Sequence, residues 1–429
     1  MPHDRLAACR FCGWEELIPV LSLGELAFPG VFPKPDEDVP RGPIDLVKCM
    51  SCGLVQMGHR YDPALLYGPT YGYRSGLNPS MVAHLRAVAA MAWFEARAEP
   101  FDTIVDIGAN DGTLLGMFPQ SCTRIGIDPL ADKLADFWPK KSIRIASMFG
   151  DTKEWHLKGL KAKIVFSLAC LYDAEAAGKW AQHVAEMLAG GGMWIIELML
   201  VEHLFHGSWD QICHEHSLYF TPRQLWEICT RAGLRIVKVQ ETPTNGGSVL
   251  VFARKESGPH LWTPLERIPQ DVREPQNWTA LQEKIRLISA EARKCLESYK
   301  ANGKIVWGYG ASTKGNMLLQ LAGIGPGLLP RIIDANQEKD GKETPGTRIP
   351  IFAHTRPWVA PPGLKDEGAE TGDPLQWPHA FLVLPWHFRD FVIEKERAFL
   401  EAGGELIFAL PRLGIVTRES LNRSKETAA

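Results

Sequence analysis

The apolar positions of the 429-residue chain fall into three regimes. Residues 1–70 carry only short apolar stretches broken by Pro and Gly, too little to build a core unaided. Residues 79–255 alternate apolar runs of strand length with segments of helical spacing, and residues 300–412 do so again more briefly. In the middle region Thr103–Ile107, Arg124–Ile127, Ile143–Ala146, Ile164–Leu168 and Met193–Glu197 read as strands with helical segments between them. That alternation predicts a parallel sheet with helices on both faces. The pattern then changes. Thr221-Pro222 opens a helix that runs to Ala232-Gly233, with Pro at the first helical position. Two strands follow, Leu234–Gln240 and Ser248–Ala253, joined by Thr244-Asn245-Gly246-Gly247. Next come a Pro-rich stretch (Pro259 to Pro275) and a helix from about Trp278 to Ala301. Its Leu281, Ile285, Leu287, Ile288, Ala292, Cys295 and Leu296 lie near helical spacing, and Asn302-Gly303 stops it.

A parallel sheet closed by an antiparallel hairpin is the plan of class I methyltransferases, whereas a nicotinamide-binding domain continues with parallel strands. The expected fold is therefore α/β: a doubly wound class I methyltransferase sheet, a small N-terminal zinc domain and a second, Rossmann-like C-terminal domain. The expected boundaries are residues 1–70, 71–255, 256–302 (linker and helix) and 303–415.

Composition adds little beyond exclusions. The chain is 45% hydrophobic and 23% charged, as expected of a soluble globular protein. A net charge of −3 supplies no global attraction to nucleic acid or to an anionic membrane. No apolar run reaches the length of a membrane span, and MPHDRLAACR has no apolar signal core, so a cytoplasmic location with reduced thiols is expected. Nothing in the sequence calls for more than a monomer. Five of the nine cysteines (Cys122, Cys170, Cys213, Cys229 and Cys295) are scattered and read as small hydrophobes.

The other four carry the firmest chemical signal. Cys9-x2-Cys12, a 36-residue gap and Cys49-x2-Cys52 supply four soft ligands, each pair followed by Gly. Four thiolates make a closed tetrahedral zinc site, structural because no position is left for substrate. A second signal is Asp106-Ile107-Gly108-Ala109-Asn110-Asp111-Gly112, between a strand and a helix. Gly108 and Gly112 permit close approach of a ligand, and Asp128, 20 residues after Gly108, is placed to bind ribose hydroxyls. Asp106, Asn110 and Asp111 make the loop unwelcoming to a pyrophosphate but suited to a sulfonium cation that also carries an ammonium group, which is S-adenosylmethionine. A third signal is Asp210-Gln211-Ile212-Cys213-His214-Glu215-His216, past the fifth strand, where open α/β folds place their sites. Histidine is the side chain suited to take a proton near neutral pH, although H-x-H beside a cysteine also fits a metal site or a polar loop. Tyr67–Ser75 reads as an aromatic lid or a packed linker. Ile305–Lys314 repeats the strand, glycine turn and helix arrangement, with Asp334 24 residues after Gly310; Tyr309 and Lys314 are candidates to touch a nucleotide.

These features, in this order, resemble the C-methyltransferases of deoxysugar biosynthesis, which act on nucleotide-linked ketosugars, such as the mycarose- and tetronitrose-type 3-C-methyltransferases. The resemblance spans nearly the whole chain. It rests on the four cysteines, Tyr71–Ser75, Asp106–Gly112, Asp210–His216 with Tyr219-Phe220, Gly246-Gly247 and Trp307–Lys314. It implies a zinc domain, a methyltransferase domain and a Rossmann-like domain that helps hold the sugar nucleotide. It also implies that a base removes the proton beside a ketone and that the resulting carbanion takes the methyl group. By this resemblance His216 is the base, Glu215 accompanies it, and Tyr71 and Tyr73 hydrogen-bond the sugar or the enolate oxygen. One departure stands out: the family has Tyr where this chain has Cys213, a far weaker hydrogen-bond donor, and His214 is a candidate to compensate. The departure leaves room for another acceptor, such as a hydroxyl, an amine or a different acidic carbon of a secondary metabolite. A zinc-ribbon RNA methyltransferase fits the charge less well, and a non-catalytic sugar-nucleotide binder would not need the cofactor loop.

Overall fold

The computed structural model describes residues 3–150, 159–256, 258, 261, 275–354 and 377–421. The Pro-rich stretch that precedes the long helix lies largely outside them.

The N-terminal region builds an antiparallel sheet from β1 (Leu17–Ala27), β2 (Arg41–Cys49) and β3 (Val55–Met57). Helix α1 (Pro79–Ala96) follows, opened by the Asn78 side chain, which accepts from the Ser80 amide, with Pro79 at the first helical position. The middle sheet contains β4 (Thr103–Ile107), β5 (Thr123–Ile127), β6 (Ser142–Ile145), β7 (Ala162–Leu168) and β8 (Leu188–Leu198), with α2 (Ala177–Met187) between the last two. The two-residue β9 (Leu218–Tyr219) comes next, then α3 (Pro222–Arg231), β10 (Arg235–Thr242) and β11 (Ser248–Arg254). The strand order is β10-β11-β8-β7-β4-β5-β6, with β4 to β8 parallel and β11 antiparallel to both of its neighbours. This is the expected doubly wound sheet with a terminal hairpin. Helix α3 carries the capping box that Thr221 and Gln224 promise, Thr221 accepting from the Gln224 amide.

One expectation fails in detail. The connections after β4 and β5 are not regular helices; they contain only the 3₁₀ turns Leu115–Met117 and Ala135–Phe137. Gly112, Gly116 and Pro119 in the first, and Pro129 and Pro139 in the second, deny a helix the uninterrupted run it needs.

The long helix α4 (Pro275–Ala301) buries Leu281, Ile285, Ile288, Ala292, Leu296 and Tyr299 at three- and four-residue intervals, while Leu287 falls off this stripe and is exposed. The C-terminal region then repeats the doubly wound plan with β12 (Val306–Tyr309), α5 (Thr313–Ala322), β13 (Ile332–Asp334), β14 (Ile351–Ala353), β15 (Ala380–Val383), β16 (Glu405–Phe408) and β17 (Gly414–Val416). Its strand order is β14-β13-β12-β15-β16-β17, parallel except for the last. The first strand of each sheet therefore lies at the point where the winding reverses, and each is followed by a glycine loop.

The N-terminal region has no core of its own. Strand β9, contributed by the middle of the chain, completes its sheet by pairing with β3. Its Leu21, Phe28, Ile44 and Leu46 share one apolar cluster with α4 and α5, whereas Cys9, Cys49 and Leu54 belong to the cluster of the middle sheet. Two amides fasten it to the C-terminal region. Gln320 on α5 accepts from the Ala27 amide (2.8 Å) and donates to the Ala27 carbonyl (3.1 Å), and Asn316 Nδ2 donates to the Pro29 carbonyl (2.7 Å). Replacing Gln320 by Ala strands both Ala27 groups, so Gln320→Ala should lower unfolding stability by about 2 kcal/mol in urea denaturation; an unchanged midpoint would show that the clamp contributes nothing.

Candidate active site and zinc centre

Residues from all three regions close around a cavity of about 650 Å³, within the usual range for a small-molecule site. On the side of the middle sheet its wall includes Gly108, Asn110, Asp128, Cys170, Tyr172, Asp173 and Glu197; opposite stand Tyr309 to Lys314, Asp334, Asn336, His387 and Lys395. Tyr67, Tyr71 and Tyr73 also line it, as do Cys213, Glu215 and His216.

The two glycine loops have matching geometry. Gly108 and Gly310 both take a left-handed φ (+76° and +78°), and their amides donate to the carbonyls of Ile127 and Ile333. In the first loop Asp128 accepts from the Asn110 amide (2.8 Å) and the Leu130 amide (2.7 Å). In the second, Asp334 accepts from the Ala311 amide (2.6 Å) and the Asn336 amide (2.7 Å). A side chain at Gly108 would also collide with Cys170, and one at Gly310 with Pro385, so glycine is required twice over at both positions. The charge differs. Burial raises the pKa of Asp106 and Asp128, and Asp106 is pushed further by the charges of Asp128 and Asp111. An acidic, dry loop of this kind fits a cationic ligand with a ribose diol. The second loop is compensated from within: Lys339 lies 3.6 Å from Asp334 and donates to the Ala311 carbonyl (2.6 Å).

Of the six residues read as cofactor ligands, Gly108, Asn110 and Asp128 line the cavity, whereas Asp106, Asp111 and Gly112 stand behind it. Asp111 is occupied with the lid. Its carboxylate accepts from the Gly76 amide (2.9 Å) and the Thr113 hydroxyl (2.6 Å) and lies 3.6 Å from Arg74. Asn110 joins it, accepting from the Ser75 amide and donating to the Tyr73 carbonyl. From the other side Asn336 donates to the Gly72 carbonyl (3.1 Å). The Tyr71–Gly76 segment is thus pinned between the two loops.

His216 Nδ1 lies 2.7 Å from the Gln211 carbonyl. A carbonyl only accepts, so Nδ1 carries the proton and Nε2 keeps its lone pair. The ring packs 4.3 Å from that of Tyr172. Burial, with the Lys314 charge adding to it, pushes the imidazole pKa down to about 3. Both carboxylate oxygens of Glu215 are buried without a hydrogen bond of ordinary geometry, although Cys213 and the Gly30 backbone lie close enough to favour its charge; burial dominates and raises its pKa. Cys213 faces Glu215 and is itself raised by burial.

His214 is a correction. Its side chain does not line the cavity. Nε2 donates to the Gly42 carbonyl (3.0 Å), and its ring stacks at 4.5 Å from Phe28 and 5.0 Å from Tyr61 inside the N-terminal region. Cys213–His216 is a tight turn, the His216 amide donating to the Cys213 carbonyl (3.2 Å); it sends His214 into the N-terminal region while Cys213, Glu215 and His216 line the cavity, so His214 cannot stand in for the missing tyrosine. The same divergence removes the H-x-H metal reading: among the described residues the grouped metal-ligand candidates are the four N-terminal cysteines.

Lys314 and Tyr309 both reach the cavity wall. Lys314 Nζ donates to the Asn245 carbonyl (2.8 Å); burial lowers its pKa to about 8 against the attraction of Asp210. The Tyr309 hydroxyl is already committed to Glu396 (2.8 Å), so its ring is what faces a ligand. Several wall residues escaped the sequence reading. Asp173 and Tyr172 follow β7, and His387 follows β15, so the carboxyl-edge rule applied to every strand would have found them. The Glu197 carboxylate bridges His84 (2.8 Å) and Thr242 (2.8 Å). Gly30 carried no sequence signal at all; a Cβ there would stand 2.5 Å from Glu215 Oε1 and 3.0 Å from the Tyr71 ring.

The sulfurs of Cys9, Cys12, Cys49 and Cys52 lie within 4.8 Å of one another, with Cys9–Cys52 at 3.7 Å and Cys12–Cys49 at 3.5 Å. Tetrahedral zinc with bonds of about 2.3 Å sets sulfurs about 3.8 Å apart, so the ligand set fits. Arg10, between the first two ligands, is buried; it donates to the Met57 and His59 carbonyls and pairs with Glu175 at 3.2 Å.

Family models match three stretches of the chain. A family model described as a zinc binding domain matches residues 9–67. One described as a methyltransferase domain matches 82–239, and one described as a C-methyltransferase C-terminal domain matches 243–362 and 374–411. Fold and cofactor loop define a class I, S-adenosylmethionine-dependent methyltransferase with a zinc-binding domain. More narrowly, the part that follows the methyltransferase domain is similar to the C-terminal domain of C-methyltransferases. The C-methyltransferase NovU of Streptomyces niveus is 29% identical over 427 residues, covering 96% of this chain and 97% of its own. Solved structures align far less fully. The CurJ carbon methyltransferase is 14% identical over 46% of this chain and 61% of its own, with a TM-score of 0.34. The 1,6-didemethyltoxoflavin-N1-methyltransferase of Burkholderia thailandensis is 18% identical over 41% and 79%, with a TM-score of 0.31. Similarity at that level bears on neither the site nor its chemistry. Among the described residues no helix is long and apolar enough to cross a membrane.

Cys49→Ser should lose zinc, measured by metal analysis, and melt at a lower temperature, because metal binding and local folding are one process; a zinc-free wild type of undiminished stability would contradict this. Gly30→Ala should displace Glu215 and Tyr71 and cut turnover about 100-fold, as misplacement of a site group by about 1 Å does, while S-adenosylmethionine still binds in calorimetry. Wild-type turnover would show that Glu215 need not sit where it does.

Proposed function

We propose that the protein methylates a carbon next to the ketone of a nucleotide-linked ketosugar, with His216 as the base. The observation that carries this reading is the state of His216: a neutral imidazole with its proton fixed on Nδ1 by Gln211, on the wall of a cavity flanked by two nucleotide-type loops. The cofactor loop takes S-adenosylmethionine, which supplies an electrophilic methyl group on sulfur. The second loop, with Lys314 nearby, is suited to the nucleotide of the acceptor, and NovU, similar over its whole length, is a C-methyltransferase.

His216 Nε2 takes the proton of the acceptor carbon, and the electron pair moves toward the carbonyl oxygen. The carbon–carbon bond then forms as the methyl–sulfur bond breaks with its electrons kept on sulfur, and the ketone is restored. The proton on His216 passes to water. Tyr71 and Tyr73 orient the sugar from the lid. Glu215, with both oxygens unpaired, is a ready acceptor for a sugar hydroxyl. Cys213 leaves space where a tyrosine would donate, which shifts that duty to other hydroxyls of the wall.

The test is a panel of nucleotide-4-ketosugars in deuterated water, following exchange at the acceptor carbon and methyl transfer. Wild type should do both. His216→Ala should lose at least about 100-fold of each, the contribution usual for a positioned base, with cofactor affinity near wild type. A product methylated on oxygen or nitrogen would replace the acceptor, and unchanged turnover of His216→Ala would remove the base.

A further inference from the structure

Asp173 stands on the cavity wall, five residues past the end of β7, and no step above uses it. Tyr67 faces it from the other side of the wall, close enough for the two to influence each other's ionisation. Yet the Tyr67 hydroxyl and Asp173 Oδ1 are both buried without a hydrogen bond of ordinary geometry. The other groups facing this pair are acidic or neutral: Glu215 and Cys213 from the central run, Tyr219 just after it, Tyr71 from the lid, and Cys170 and Tyr172 from its own turn. Burial raises the pKa of Asp173 well above the carboxylate range and the Glu215 charge adds to it, against the pull of the neighbouring Tyr67 hydroxyl, which favours the carboxylate.

The direction of one hydroxyl is at stake. Beside an ionised Asp173, Tyr67 would donate to the carboxylate and turn only lone pairs toward the cavity. Beside a protonated Asp173 it accepts instead, and its own hydrogen is free. We propose that Asp173 is a positioning residue that, as the neutral acid, donates to the Tyr67 oxygen and thereby points the Tyr67 hydroxyl at the oxygen that becomes negative when the acceptor carbon loses its proton. This rests on the ketone acceptor argued above. The need is plain, because an imidazole held down to about 3 is a weak base and the carbon must be made acidic by stabilising its enolate oxygen. Hydrogen bonds in series also polarise one another. Neither Asp173 nor Tyr67 gives up a proton in the step; His216 alone takes one, and the charge on oxygen returns to carbon as the new bond forms.

The experiment measures kcat, KM and deuterium exchange against pH for full-length, zinc-loaded protein with S-adenosylmethionine and the ketosugar that wild type accepts. Tyr67→Phe should lose about 100-fold in kcat, the value of one oxyanion donor, with KM little changed. Asp173→Leu should fall as far. Asp173→Asn, whose amide can donate to Tyr67 as the acid does, should retain most of the activity. Wild-type activity should decline as alkaline pH ionises Asp173, and Asp173→Asn should lack that decline. Should Asp173→Leu not fold, the other two variants decide. Asp173→Asn as inactive as Tyr67→Phe, an unaltered alkaline limb in Asp173→Asn, or Tyr67→Phe at the wild-type rate would each overturn the proposal. A wild type that neither exchanges nor methylates any ketosugar overturns the acceptor and this inference together; exchange by wild type alongside any of the three contrary results overturns this inference alone.

Discussion

The site depends on the pinning of one short segment, Tyr71–Gly76, between two glycine loops. Asn110 and Asp111 hold it from the cofactor side, and Asn336 from the other. All four contacts are to backbone groups, so they fix the path of the chain and leave the tyrosine rings to the ligand. A segment with two glycines, whose own regular structure is one bridge from Tyr71 to Val31 and the start of the 3₁₀ turn Ser75–Leu77, would otherwise cost too much entropy to order. The same contacts hold the two doubly wound regions at a set spacing, and that spacing determines whether two ligands can meet.

Within the cavity, acids outnumber their cations. Among the described residues Asp128, Asp173, Glu197, Glu215 and Asp334 line the wall, against Arg74, Lys314, Lys339 and Lys395, and each of these cations has a partner of its own. Burying carboxyl groups without counter-charges is costly, and such groups respond by holding protons or by waiting for a cation. A sulfonium ligand meets the second condition near Asp106 and Asp128. Among the described residues no counter-ion faces Glu215 or Asp173, so protons and ligand hydroxyls are what remain to satisfy the oxygens.

Much of this was legible in the sequence. Period and turn residues located the strands Thr103–Ile107 and Ser248–Arg254 and the capped helix after Thr221 because those signals are local. The C-x2-C pairs were legible because zinc chemistry fixes ligand type and spacing together. His214 was misplaced because a turn at Cys213–His216 sends neighbouring side chains in different directions, and the direction His214 takes is decided by Phe28 and Tyr61, residues more than 150 positions away. Gly30, and the facing of Tyr67 toward Asp173 within the aromatic segment, were not legible for a related reason. Their importance comes from what lies across the cavity, and no local pattern encodes a distance between domains.

Arg10 gives the zinc centre a reach that its closed ligand shell would not suggest. It sits between Cys9 and Cys12, with its guanidinium spread over two carbonyls of the N-terminal sheet and over Glu175, two residues beyond Asp173. The turn that carries Tyr172 and Asp173 is therefore moored, through an ion pair between buried Arg10 and half-exposed Glu175, to the loop that carries two of the zinc ligands, whose folding metal binding favours. Metal occupancy and the ordering of one wall of the reaction chamber are thermodynamically linked. A ligand that orders that wall should bind zinc-loaded protein more tightly, and by reciprocity should slow the loss of zinc to a chelator.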